Sequence, residues 1–329
     1  MNSTASPMSD ALFALTLALL LLAPLALAGV SLINTGLGRS RSAAQAMLGS
    51  LAVAAVAAIV FAFAGACFAG ALGGMSLTVH AAGRPWNWLG LGPWLMSGFR
   101  AAAPQAQLGT IFELFSVALA ALIPWGSGAD RWRLAAGCGA AALTALLVFP
   151  LAAHWIWNGG WLAELGLNFG LGAGFLDPGG AATVHALGGL SALAVVWIAG
   201  PRRGKFPREG LSTAMPGHNA VYVLLGGFVA LVGWLAWNTA GAILWLHAPL
   251  SALPETVAGT LLCAAGALGA TLTVTRVRFG KPDASLCANG WLAGLVASSA
   301  CAAVVTPGAA FFIGLVAGMA TPLLVELLE

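Results

Sequence analysis

One imidazole in this chain, His185, falls inside a long apolar run that opens with Asp177-Pro178 and closes in the basic text PRRGKF. An imidazole at hydrocarbon depth is costly without a partner or water, so its default reading is functional. Neutral imidazole both donates and accepts a hydrogen bond, and it passes protons near neutral pH. The expected chemistry is a pore-lining or proton-relay histidine, against the plainer reading of a core histidine bonded to a neighbouring helix. Asp177 suits a helix N-cap, with Pro178 tolerated at the first helical position. A carboxylate there would also draw cations to the mouth of the helix. Eight residues further on, His185 would lie about 12 Å down that helix. The small residues around it (Gly179, Gly180, Ala181, Ala182, Ala186, Gly188, Gly189) leave room for a narrow passage.

Other polar points carry less. Glu113 lies in an apolar segment between Phe112 and Phe115, where a carboxyl must be paired, protonated or facing water. Asn238, in GWLAWNTAG, suits a pore-lining or interhelical hydrogen bonder. His154 and His218 sit at segment boundaries and read as structural; His80 and His247 carry little signal. Nothing resembles a nucleophile constellation, a phosphate loop or a paired-carboxylate arrangement, so an enzyme is not expected. The five cysteines stand singly in apolar text, which implies neither a disulfide nor a metal site. No cofactor is expected.

The elements that hold these residues must be membrane helices. The chain is 60% hydrophobic and 7% charged, against roughly 25% charged residues in a soluble domain. A membrane β-barrel would show short alternating segments instead. Lengths that cross a bilayer mark nine spans near 11–33, 44–73, 107–127, 134–153, 179–200, 218–240, 252–275, 286–305 and 308–328. The expected fold class is all-α, a polytopic transmembrane bundle forming one membrane domain over 1–329. The 44 glycines suit close helix packing in lipid. The opening MNSTASPMSD has no basic stretch before the run at 11–29, so that run reads as a span rather than a cleaved leader.

Charge gives an orientation. One set of alternate loops holds Arg39, Arg41, Arg131, Arg133, Arg202, Arg203, Lys205, Arg208, Arg276, Arg278 and Lys281, and the other set only Arg84 and Arg100. The positive-inside rule puts the first set in the cytoplasm, the N-terminus outside and Glu329 inside. The net charge of +3 thus reports topology, and no nucleic-acid partner is implied. The outer loops, 74–106 and 154–178, are long and rich in tryptophan. Trp86, Trp88 and Trp94 read as an interfacial belt. Trp161 stands apart, because it leads into the His185 helix, and with Trp155 and Trp157 it would form a vestibule.

These residues resemble the ammonium transporter/Rhesus (Amt/Rh) family. GLGRSRSAAQAMLGS (36–50), DRWR (130–133), HWIWNGGWLAELG (154–166) and DPGGAATVH (177–185) match in order. So do PRRGKF (201–206), HNAVYVLLGGFVALVGWLAWNTAG (218–241), GKP (280–282) and GWLAGLV (290–296). The 154–205 block is the specific part. The resemblance implies a homotrimer in the cell (inner) membrane, each subunit with its own pore and two halves related by an inverted repeat. It implies an outer ammonium-recruitment site at Trp161 and Asp177, with Phe112 or Phe115 as outer gate. It also implies His185 as the first of two pore histidines, and Trp237 with Asn238 at the inner gate.

The departures from the family's pattern are specific. Gly241 stands where the family has a recruitment-site serine, and Trp237 where it usually has phenylalanine. The text also stops after the ninth span, before the family's tenth helix with its second pore histidine, the eleventh helix and the tail. Three readings follow. One is an ammonium/ammonia channel or transporter; one is a non-conducting ammonium receptor with a fused signalling module; one is an incomplete relative without a sealed pore. The family's PII-type regulators, which dock on cytoplasmic loops and tail, are the expected protein partner; ammonium, ammonia and membrane lipid are the expected small ones.

Overall fold

The computed structural model describes residues 8–128, 130–206, 213 and 215–328, so Arg208 and Glu329, used above for orientation, lie outside the described residues. Among the described residues nine helices are long and apolar enough to cross a membrane. They are α1 (Asp10–Leu37), α2 (Ser40–Ala69), α3 (Pro104–Gly128), α4 (Leu134–Ile156), α5 (Ala181–Ala199), α6 (Ala220–Leu246), α7 (Leu250–Phe279), α8 (Ala284–Cys301) and α9 (Pro307–Leu327). The spans are those expected, with ends moved by a few residues. The protein is a multi-span membrane protein.

Local chemistry explains several ends. Asn219 accepts the Tyr222 N–H at 3.0 Å and caps α6, and Asp283 accepts the Leu286 N–H at 2.8 Å and caps α8. Gly280, at φ +75°, ends α7 in the left-handed conformation that glycine adopts without strain. Proline breaks α1 into two segments, Asp10–Leu22 and Pro24–Leu37. Three spans each contain a π turn: Phe61–Gly65, Thr144–Val148 and Ala181–Ala186. Such turns collect at functional sites, and the third carries His185.

Small residues set the packing. α6 lies along the second half of α1. A Cβ on Gly233 would come within 2.1 Å of the Ala26 nitrogen, and one on Gly29 within 2.4 Å of the Ala230 nitrogen. This backbone-on-backbone crossing is the small-residue packing of helices in lipid. On the other side, α7 packs on α8 and α9. The core runs through the middle, where Phe61 meets Phe149 edge-on at 5.6 Å.

The all-α expectation holds, with one short hairpin added outside the spans. The loop at 74–106 folds back as an antiparallel hairpin, β1 (Met75–Ala81) with β2 (Arg84–Leu91), registered from Met75 opposite Leu91 to Ala81 opposite Arg84. The turn Ala82-Gly83 has positive φ at both residues (53° and 72°), the geometry that matches the twist of paired strands. His154 fastens the hairpin to α4. Its Nδ1 lies 3.0 Å from the Ala69 carbonyl oxygen and its Nε2 2.9 Å from Asn87 Oδ1. Trp155 Nε1 donates to the Trp88 carbonyl at 2.8 Å, and Asn87 Nδ2 to the Gly159 carbonyl at 2.9 Å. Trp86 and Trp88 meet Trp161 of the 154–178 loop at 5.7 Å, Trp88 keeping 37% of its surface exposed.

Candidate functional site

Phe112 and Glu113 on α3 meet Trp157 and Asn158, just beyond α4, rung against rung. The Phe112 and Trp157 rings are 5.4 Å apart, edge to face, and Asn158 Nδ2 donates to Glu113 Oε1 at 2.8 Å. α6 completes the aromatic part. Trp245 stacks on Trp157 at 5.1 Å with ring planes 2° apart, and lies 5.8 Å from Phe112. Trp237 lies 4.7 Å from Phe112. Four rings thus form a box with two polar neighbours at its edge. Phe115 is half-buried at the margin of the core and outside the box.

Below the box runs Asp177-Pro178-Gly179-Gly180, and almost every backbone group in it has a role. The Asp177 carbonyl accepts Trp157 Nε1 at 2.7 Å, and the Gly179 carbonyl accepts Trp237 Nε1 at 3.2 Å. The Gly179 N–H donates to the Ser299 carbonyl at 3.0 Å. A Cβ on Gly179 would meet Asn238 Oδ1 at 2.4 Å. A Cβ on Gly241 would come within 1.8 Å of the Pro178 carbonyl oxygen. The missing serine at 241 therefore has a steric cause: the 178 carbonyl occupies that space.

The expected role of Asp177-Pro178 as helix start is corrected. α5 begins at Ala181 behind Gly180, whose φ of +75° makes the turn. Asp177 reaches forward from outside the helix. Its Oδ2 accepts the Ala182 N–H at 3.1 Å, the Thr183 N–H at 2.8 Å and the Thr183 hydroxyl at 2.7 Å. It is 3% exposed, so it does not stand at an open mouth. Burial pushes its carboxyl above the ordinary value, and the hydrogen bonds from Thr183 and its neighbours pull the other way. Because the helix starts late, His185 lies only about 6 Å along it.

His185 is buried and stacks on Trp234 at 5.3 Å with planes 14° apart. Its Nε2 lies 3.2 Å from Ser299 Oγ, which also accepts Trp234 Nε1 at 3.1 Å. The imidazole thus has polar and aromatic partners on α8 and α6. Asn238 is an interhelical bonder, as one of its two expected roles had it: Nδ2 donates to Thr260 Oγ1 at 3.0 Å and to Ser298 Oγ at 2.9 Å.

Trp161 is placed elsewhere. Its ring meets Trp86, Trp88 and Trp155 at 5.7, 5.7 and 5.9 Å, and its backbone N–H donates to the Asn87 carbonyl at 3.0 Å. That cluster anchors the hairpin, so the indole facing Phe112 is Trp157 and the expected assignment of Trp161 to that site is corrected. Sequence reasoning also missed Trp234, Trp245 and Ser299. A signal existed for the α6 residues, since 234, 237/238, 241 and 245 make one helical stripe. Nothing in the text singles out Ser299. Among the described residues no three His, Cys, Asp or Glu side chains gather as a metal site.

Residues 12–329 match the sequence profile of the Ammonium Transporter Family. Ammonium transporter Amt2 of Archaeoglobus fulgidus is 34% identical over 296 residues, covering 88% of this chain and 59% of that protein. Amt2 of Haloferax mediterranei is 32% identical over 318 residues, covering 92% and 65%. The chain therefore spans about six tenths of the length of these curated relatives. Among solved structures, a Sensor Amt Protein superposes with a TM-score of 0.82 at 25% identity, over 94% of this chain and 73% of that one. Mep2 of Candida albicans has a TM-score of 0.78 at 22% identity, over 95% and 65%, a likeness of fold. With nine spans, a profile match over nearly its whole length and a relative one-third identical, the chain belongs to the ammonium transporter family.

Proposed function

We propose that the chain moves ammonium nitrogen across the membrane, taking up ammonium in the Phe112/Trp157/Trp245 box and passing ammonia along His185. The observation that carries this is the continuity of the box with the imidazole through Trp237, Gly179 and Ser299. A cation on aromatic faces gains about 0.5–2 kcal/mol per ring. Beyond the box the path is closed by the buried Phe112 and Trp237 rings, where a charged ion would pay heavily and a neutral molecule little. That difference favours ammonia and rejects sodium or potassium. The Phe112 and Trp237 rings touch, so conduction needs them to part. Asp177 acts here as a positioning group for the start of α5, and Asn238 as a tie between α6, α7 and α8. The homotrimer, the extracellular N-terminus and a PII-type or fused regulatory partner belong to this proposal as extensions from the family.

The test is ammonium-evoked current and labelled methylammonium uptake in proteoliposomes of the 329-residue chain, with His185→Ala beside it. Transport that His185→Ala abolishes or alters supports the reading. No transport by folded, inserted protein refutes it. A second reading, an ammonium receptor, draws on the 0.82 TM-score to a Sensor Amt Protein and on the closed Phe112–Trp237 contact. It expects saturable ammonium binding without transport.

A further inference from the structure

We propose that Glu113 is the base that takes the proton from ammonium at the aromatic box. The inference rests on the proposed binding of ammonium there. An ion that must continue as ammonia has to leave a proton behind, and four aromatic rings offer no acceptor.

Glu113 is fully buried in α3, one residue from Phe112, and its partner Asn158 is one residue from Trp157. The Glu113–Asn158 pair is thus the next rung to the Phe112–Trp157 pair. Asn158 occupies Oε1 alone; Oε2 is buried and has no hydrogen-bond partner. No Lys or Arg lies within ion-pair distance of it among the described residues. One helical turn on, Ser116 Oγ is likewise buried and unpartnered. A buried carboxyl held by one amide, with its second oxygen unpartnered one rung from the proposed ammonium site, is suited to receiving a proton.

Of the titratable groups near the box, His154 and His185 are engaged elsewhere, and Asp177 is engaged through one oxygen. Both ring nitrogens of His154 are committed to Ala69 and Asn87. Asp177 is held at the start of α5 by three hydrogen bonds to Oδ2, its Oδ1 being buried and unpartnered like Glu113 Oε2. His185 is held by Ser299 and Trp234, beyond the Phe112–Trp237 contact. In the proposed step one N–H bond of ammonium breaks and its electron pair stays on nitrogen. The proton forms an O–H bond at Glu113 Oε2, giving ammonia and a neutral carboxylic acid. The acid returns the proton to water before the next cycle.

Glu113→Gln is the decisive variant, because Gln keeps an acceptor for Asn158 and removes the base. Methylammonium uptake by the full chain is expected to fall roughly a hundredfold, whereas a purely structural Glu113 would leave it unchanged. Infrared difference spectra, ammonium minus potassium, give a readout that needs no conduction. The wild-type chain is expected to gain a protonated-carboxyl band that Glu113→Gln lacks. Labelling with ¹³C-glutamate assigns the band to glutamate should Glu113→Gln fail to fold. No band in the wild type, a band that persists in Glu113→Gln, or full uptake by that variant overturns the proposal. A band from a chain that does not transport refutes the transport reading and leaves Glu113 as the base.

Discussion

Replacing Asp177 separates hydrogen bonding from charge at the centre of the bundle. Asp177→Ala leaves the Ala182 and Thr183 N–H groups buried with no acceptor, while the Thr183 hydroxyl can turn away. Each orphaned donor costs about 1–3 kcal/mol, so the loss for the pair is about 2–6 kcal/mol. Asp177→Asn keeps an acceptor in place. The carboxyl's raised pKa says that its surroundings disfavour the charged form, burial outweighing the donors. A neutral isostere should therefore cost only about 1 kcal/mol, the surplus amide N–H included. The same direction fixes a pH signature. The folded pKa lies above the ordinary 3.8, so the folded protein holds the proton more tightly. That stabilisation is complete below the ordinary value and is lost as pH rises through the raised one. Denaturant unfolding in detergent, followed by tryptophan fluorescence across pH, reads all three quantities. An Asp177→Asn variant as unstable as Asp177→Ala, or one that keeps the wild-type pH slope over that window, refutes the hydrogen-bonding role of Asp177.

Three further outcomes follow from the packing. Gly241→Ser should destabilise by about 1–3 kcal/mol through collision with the Pro178 carbonyl, seen as a lower denaturation midpoint; an unchanged midpoint contradicts the close approach. Trp157→Ala should cut methylammonium uptake at least about tenfold, the loss of one cation–π face and of the packing around it, while Trp161→Ala stays within about twofold. The reverse order in the same assay would return the recruitment role to Trp161. Trp237→Phe removes the indole donor to Gly179 at a cost of about 1 kcal/mol and shrinks the ring on Phe112. Its uptake per folded molecule should rise, and a fall would mean that the indole helps passage.

The nine spans were legible because hydrocarbon thickness imposes a length that no other feature of the chain imitates. His185 was legible for the same reason: a polar ring inside such a run needs a partner. Its partner was not, since Ser299 is one serine among several small residues of α8, and only the approach of α8 to the π turn of α5 selects it. The hairpin was hidden because Met75–Leu91 is short and is held by bonds from Asn87, His154 and Trp155 to residues distant in sequence. Trp157 and Trp161 carry the same chemistry four residues apart. Which of them meets Phe112 depends on the turn at Gly159-Gly160, where φ at Gly159 is +74°, and that turn is set in three dimensions.

The segment from Asp177 to Gly180 is tied by its backbone to Trp157 beyond α4, to Trp237 on α6 and to Ser299 on α8. A stretch anchored on three sides is a poor hinge. Moving α5 against α6 or α8 would break several buried bonds together, whereas turning Phe112 away from Trp237 leaves the Trp237–Gly179 bond in place. One ring displaces fewer neighbours than a whole helix, whose collective motions take microseconds to milliseconds. Turnover in such a bundle would follow the opening frequency of one pair of rings, with no rocking of one half against the other, and its rate would resemble a channel's more than a carrier's.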